Sequence, residues 1–282
     1  MDITKFTFKS FRILKKRLGE FDAVVECNEI AIREFTEQVK NSNDLKKYIQ
    51  DLSLKHKVRV NEVDLLKFSS RIRQFYILSV TQQGEQFLEE FETEFKEYFP
   101  AKDWQPRNSS ETLLENILIN VYGNKIIGIQ NITEGVFEGY EYYRLIRNRV
   151  AHSENYNIAK IKNKHQEAIR HLIDLQTKYH LNGGLNEYTK IDYSDFLLIT
   201  NIIKNIGYVL CQSATPDNQQ IAKILLSLKN KKGNHIVSGI LKIKNNENRF
   251  KSAIFSLLRT NFGRISSKDK EEILQEVTRL LA

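Results

Sequence analysis

In the stretch "EYYRLIRNRVAHSE", Glu141 to Glu154, three side chains stand near enough together to handle a phosphate: Arg147, Asn148 and His152. An arginine fork matches phosphate oxygens and offsets the charge that builds on them. A histidine gives and takes protons near neutral pH. An asparagine, donor and acceptor at once, can orient the imidazole or the substrate. At about 100° per residue, Val136, Tyr140, Tyr143, Ile146, Val150 and Ala151 share one side of a helix, with Arg147 in the middle of it. Burying a charge without a partner is costly. Arg147 would therefore pair with Glu111, Glu115 or Glu138, or pack its stem and let its head reach out. His152 lies five residues on, about 140° around a continuous helix. Arg147 and His152 thus share a face only if the helix ends or bends between them, whereas Asn148 and His152, four apart, share one. A histidine at a helix end is also an ordinary partner for the terminal carbonyls.

The elements that must position these residues read as helix nearly throughout. Prolines occur only at Pro100, Pro106 and Pro216. Apolar residues at three- and four-residue steps, among them Val63, Leu66, Ile72, Phe75, Tyr76, Phe87, Phe91 and Phe95, predict one long or kinked helix. "FPAKDWQPRNSS" breaks it, with Trp104 as a loop anchor. The next helix is expected to open at Asn108 and Glu111, spaced as a capping box. "NIAKIKNKHQEAIRHLIDLQTKYHL" reads as a single helix stopped by Asn182 to Gly184. Beyond Tyr193 come an apolar helix, one behind Pro216, "NENRFKSAIFSLLRTNFG", and a last one behind Ser266 and Asp269. "HIVSGILKIK" reads as a short strand. The expected class is all-α: a helical domain over residues 1–182 carrying RNRVAH, then a basic helical domain over 190–282, with the boundary between Leu181 and Asp192.

Charge is unevenly placed. From Met1 to Tyr156 there are 23 Lys and Arg against 24 Asp and Glu; from Asn157 to Ala282 there are 20 against 11. The second part thus carries the whole net charge of +8. A basic part beside a neutral one suits either contact with a polyanion, above all nucleic acid, or a solvated lysine-rich surface. Lys229, Lys231, Lys232, Lys242 and Lys244 make the richest stretch, with few aromatics near, so tracking of an RNA backbone is expected over base stacking. Tyr140, Tyr142 and Tyr143 could stack on bases but sit at core spacing. Glu89, Glu90, Glu92, Glu94 and Glu97 read as a solvated face or as an acidic lid. No run of eighteen apolar residues exists, so no membrane span is expected. The basic N-terminus lacks the apolar centre of a secretory signal. Cys27 and Cys211, far apart, read as reduced thiols, which suits a cytoplasmic protein. The histidines lack zinc spacing, and neither GxGxxG nor a P-loop occurs, so neither a metal nor a nucleotide cofactor is expected.

"RNRVAH", Arg147 to His152, resembles the R-x4-6-H motif of HEPN domains in its RNxxxH form. The resemblance covers about residues 1–182 and is close only in the motif. It implies an α-helical bundle and a metal-independent endoribonuclease, of the kind found in toxin–antitoxin and anti-phage systems. Arg147 and His152 would be the catalytic pair, Asn148 a supporting polar residue, and Arg149 a further RNA contact not fixed by the motif. RNA would be cut by its own 2′-OH, leaving a 2′,3′-cyclic phosphate and a 5′-OH. Such nucleases pair two motifs across a homodimer cleft, into which Arg147 would reach from its apolar stripe. Two alternatives stand beside this: a non-catalytic HEPN scaffold or binding module, and a toxin controlled by a nucleotidyltransferase antitoxin. The last resembles R-x4-H-x-Y, from which this chain departs by placing Glu154 two residues after His152.

Overall fold

A computed structural model of the chain describes residues 6–61, 64–152, 158–228, 233 and 235–281, with Leu65 and Leu66 described in backbone only. The fold is all-α. Among the described residues there are thirteen helices: α1 Lys9–Lys40, α2 Leu45–His56, α3 Leu65–Tyr98, α4 Leu113–Tyr122, α5 Lys125–Ile132, α6 Glu134–His152, α7 Ile158–Ile169, α8 Leu172–Tyr179, α9 Tyr193–Ser213, α10 Asn218–Ser227, α11 Ser238–Leu241, α12 Glu247–Phe262 and α13 Ser267–Leu280. The long helix expected across Val60 to Phe99 is α3, 34 residues without a break.

Contacts gather the chain into two compact units that are not successive in sequence. One holds Met1–Leu14, Glu85–Ile132 and Ile206–Ala282; the other holds Lys15–Gly84 and Thr133–Asn205. The boundary expected between residues 182 and 190 falls inside the second of these. The residues of α1, α3 and α9 are each divided between the two units. A sequence reader looks for a linker, and here the division runs through the middle of continuous helices.

The first unit is organised by aromatic rings. Phe6 stacks on Phe262 at 5.8 Å, Phe8 on Tyr98 at 5.3 Å, and Phe8 meets Phe91 at 4.8 Å. Such pairs add roughly 0.5–1.5 kcal/mol beyond area burial. An antiparallel bridge between Phe6 and Gly263 ties the chain start to the end of α12. Glu94, expected on a solvated face or in an acidic lid, instead caps α1: its carboxylate accepts from Lys9 N at 2.8 Å and Ser10 N at 2.9 Å. A carboxylate at an N-terminus also matches the helix dipole there. Trp104 does anchor its loop, meeting Phe95 at 5.5 Å. A β-carbon at Gly207 on α9 would land against ring carbons of Phe11 and 3.3 Å from Phe87 Cζ. A ring cannot fold away as an aliphatic tip can. Gly207→Ala is therefore expected to destabilise by about 1–3 kcal/mol, read as a lower chemical-denaturation midpoint with an unchanged slope; an unaltered midpoint would refute it.

Several local expectations are corrected. The capping box that opens α4 is Thr112 with Glu115, not Asn108 with Glu111. Asn108 and Glu111 do bond to each other, at 2.9 Å between side chains. The apolar run that drives the helix, however, begins at Leu113, and the cap adjoining that run wins. "HIVSGILKIK" is not a strand but the single helical turn α11 amid turns. Ile236 N donates to Leu228 O at 2.9 Å and Val237 is buried, but the chain turns at once into α11 and no ladder of strands forms among the described residues. The helix expected from Asn157 to Leu181 is two, α7 and α8, separated at Arg170 and His171. The break lets His171 lie on α6, where a β-carbon at Gly135 would approach its Cβ to 2.8 Å. The stop comes at His180, in the left-handed conformation, just before the expected Asn182 to Gly184. The Ser266 cap on α13 is as expected.

Candidate functional site

α6 belongs wholly to the second unit. Val136, Tyr140, Tyr143 and Ile146 are buried, as the apolar stripe requires. The stripe then fades: Val150 is half-buried and Ala151 exposed. Arg147, half-buried, sits where the buried face gives way, not at its centre. That answers the problem of a charge on an apolar side. Its Nη1 donates to Asn148 Oδ1 at 2.8 Å, so the two polar residues of the motif form one group. The acids considered as its partners are engaged elsewhere: Glu111 by Asn108, Glu115 by Lys125 at 2.5 Å, and Glu138 by Lys164 at 2.8 Å.

His152 is the last residue of α6 and is exposed. It has no hydrogen-bond or ion-pair partner among the described residues. Because α6 is continuous from Glu134 to His152, Arg147 and His152 lie about 140° apart around it. One chain brings Arg147 to Asn148, and sets Asn148 and His152 on one face, but does not turn the arginine and the histidine toward one point. Arg149 packs its guanidinium over the ring of Tyr188, 5.4 Å from the centroid.

The three tyrosines of α6 are core: Tyr140, Tyr142 and Tyr143 are all but inaccessible. Two of them carry a buried polar network that sequence reading missed. Asp195, fully buried at the start of α9, accepts from Tyr143 Oη at 2.8 Å, Asn186 N at 3.0 Å, Asn186 Nδ2 at 2.8 Å and Asp192 N at 2.9 Å. Tyr142 Oη donates to Asn186 O, and His165 Nε2 lies 2.6 Å from Leu185 O. Together these fasten the loop after α8 onto α6 and α7. Burial pushes the Asp195 carboxyl above its usual range, against the pull of its donors, and pushes the Tyr143 phenol well up. The one sequence signal was an aspartate two residues into an apolar helix, which reads as an ordinary first-turn acid.

Of the basic residues expected to hold RNA, Lys229, Lys231 and Lys232 lie outside the described residues. Lys242 and Lys244 are exposed in the first unit, and Lys244 Nζ donates to Leu281 O at 3.1 Å. Nearby Lys251 is paired with Glu271 at 2.5 Å. Cys27 is exposed and Cys211 buried, and neither is in a disulfide. Among the described residues, no three His, Cys, Asp or Glu side chains are grouped to hold a metal ion, and no helix is long and apolar enough to cross a membrane. Comparison with known proteins finds no matching family model, no matching curated protein and no matching solved structure.

Proposed function

We propose that this chain is a metal-independent endoribonuclease of HEPN type, acting as a homodimer, with Arg147 and His152 as its catalytic pair and Asn148 in support. The observation that carries the reading is the state of the motif at the end of α6. Arg147 is steadied by Asn148 at 2.8 Å, while His152 is exposed at the helix terminus with no structural partner among the described residues. A histidine that served the fold would be bonded to a carbonyl or a carboxylate. An exposed histidine at the end of α6, one turn beyond the Asn148 that steadies Arg147, supports a role toward a ligand.

The chemistry follows from the side chains. The 2′-oxygen of a ribose attacks the adjacent phosphorus, its proton passing to a base. The bond from phosphorus to the 5′-oxygen breaks, and that oxygen takes a proton. His152 supplies proton transfer. Arg147 stabilises the charge growing on the phosphoryl oxygens. Since the two diverge around a single α6, a second copy must bring its own motif to the same phosphate. The dimer is thus part of the reading. Light scattering at assay concentration is expected to give twice the chain mass, and a fully active monomer would overturn it. The setting is a cytoplasmic toxin or anti-phage system with a regulating partner protein, as the resemblance implies. The exposed Lys242 and Lys244, with Lys229, Lys231 and Lys232, would follow the RNA backbone. The test of the reaction is the chemistry of the ends. RNA incubated with purified protein in EDTA should yield 2′,3′-cyclic phosphate and 5′-OH termini. Intact RNA bound to a dimer would instead favour a non-catalytic HEPN module.

A further inference from the structure

We propose that a cleft in the second unit, walled by α3, the end of α6 and the loop after α8, binds a nucleotide of single-stranded RNA, with the base on Phe75 and the phosphate on Lys67 and Arg71. The substrate class rests on the nuclease reading; the site itself is argued from its own residues. The cleft holds about 480 Å³ and is lined by Lys67, Arg71, Phe75, Arg149 and Tyr188 with apolar Ile146 and Val150 below. That volume is in the range of small-ligand sites.

Three features single it out. The first is charge: three cations line the cleft and no acid does. Lys67 is paired with Asp64 at 2.8 Å, but Arg71 and Arg149 have no ion-pair partner among the described residues. The second is Phe75. It belongs to the apolar pattern of α3, yet it is 58% exposed, while its neighbours Tyr76 and Ile77 are buried. Lys67, Arg71 and Phe75 are spaced four apart and so form one row along the helix. A largely exposed ring in line with two cations costs solvation and packs only in part; it fits a base laid flat on it with its phosphate alongside. The third is rigidity. Gln74 Nε2 donates to Tyr188 O at 2.9 Å and Ser70 Oγ to Thr189 O at 3.1 Å, fixing the loop to α3. The Asp195 network fixes the same loop to α6. Arg149 covers Tyr188 at 5.4 Å and closes the back wall.

Two other concavities differ in chemistry, and a third, lined by Arg33, Lys40 and Arg73, has no aromatic ring and includes Glu37. One, of about 770 Å³ in the first unit, is lined by Glu90, Glu94 and Glu97 beside Lys9 and repels a polyanion. The groove at Phe35, Leu52, Val58 and Phe68 is mainly apolar; Ser53 and His56 are the polar side chains in its lining, and neither a lysine nor an arginine lines it.

The test is fluorescence anisotropy of a short labelled single-stranded RNA of mixed sequence, bound to full-length His152→Ala protein so that it is not cut. Phe75→Ala should weaken binding about tenfold and leave the salt dependence as it was. Arg71→Gln should weaken binding and lower the slope of log affinity against log salt by about one phosphate contact. A purely structural role for either residue would not separate these two signatures. Unchanged affinity in variants with wild-type circular dichroism overturns the site. So does equal affinity for duplex RNA, which offers no free base, or equal competition by adenosine monophosphate, which would assign the cleft to free nucleotides. Failure of the nuclease reading looks different: the oligonucleotide binds and responds to Phe75→Ala, but no RNA is cut by the wild type.

Discussion

Purified His152→Ala protein is expected to lose RNA cleavage by about 10²–10⁴-fold, the usual contribution of a positioned proton-transfer group. Arg147→Ala should lose about 10²–10³-fold, the worth of a group that stabilises transition-state charge. The two should not multiply in the double variant, because residues that act as one unit are not additive. Stability should separate the pair. His152 is exposed at the end of α6, so its removal should leave the unfolding midpoint within about 0.5 kcal/mol of wild type. Arg147 is half-buried and bonded to Asn148, so its removal should cost about 1 kcal/mol. Mixing the two inactive variants gives the sharpest test. If each copy supplies one part of a shared site, heterodimers regain part of the activity. Cleavage that persists in His152→Ala after contaminants are excluded ends the assignment.

What was legible in the sequence was whatever depends on local pattern. The all-helical class followed from the spacing of apolar residues and the shortage of prolines. The extent of α3 and the cap at Ser266 were readable for the same reason. What failed depended on competition between equally good local signals or on contacts distant in sequence. Two overlapping cap patterns compete before α4, and only the position of the apolar run decides for Thr112. The α7–α8 break has no proline or glycine to announce it, and at it His171 packs close to Gly135 of α6. Glu94 looked like one more charge on a solvated face, since nothing local says that the start of α1, 85 residues away, lacks a cap. The site was legible to the same degree. The motif residues could be named from spacing, and the divergence of Arg147 and His152 followed from helix geometry once α6 proved continuous. The cleft at Phe75 was not legible, because the hydrophobic pattern assigns that ring to the core.

Asp195→Ala is expected to destabilise the second unit by about 3–4 kcal/mol, against a total stability of roughly 5–15 kcal/mol for a folded protein. Asp195 is fully buried and accepts four hydrogen bonds. Alanine leaves Tyr143 Oη, Asn186 N and Nδ2, and Asp192 N facing a cavity without an acceptor. Each buried donor without a partner costs about 1–3 kcal/mol, less where water can enter. Tyr143→Phe keeps the ring and removes one donor to Asp195 and the acceptor of Leu185 N, so it should cost about 1–2 kcal/mol. That ordering, aspartate above tyrosine, marks a network centred on the carboxylate. The pH dependence has a definite sign. Burial raises the folded-state pKa of Asp195 above its ordinary 3.8. A carboxyl raised on folding binds its proton more tightly in the folded state, so its contribution is complete below the unfolded value and declines as pH rises through the folded one. The deficit of Asp195→Ala should therefore be largest in acid and narrow toward neutrality. The loop held by Asp195 is also a wall of the Phe75 cleft, so the variant should bind single-stranded RNA more weakly even at temperatures where it stays folded. Urea denaturation of wild type, Asp195→Ala and Tyr143→Phe across pH decides the matter. A deficit below about 1 kcal/mol for Asp195→Ala would show that Asp195 does not hold the loop in this way, and one that widens with rising pH would show that its donors outweigh burial and hold the carboxyl below its ordinary value.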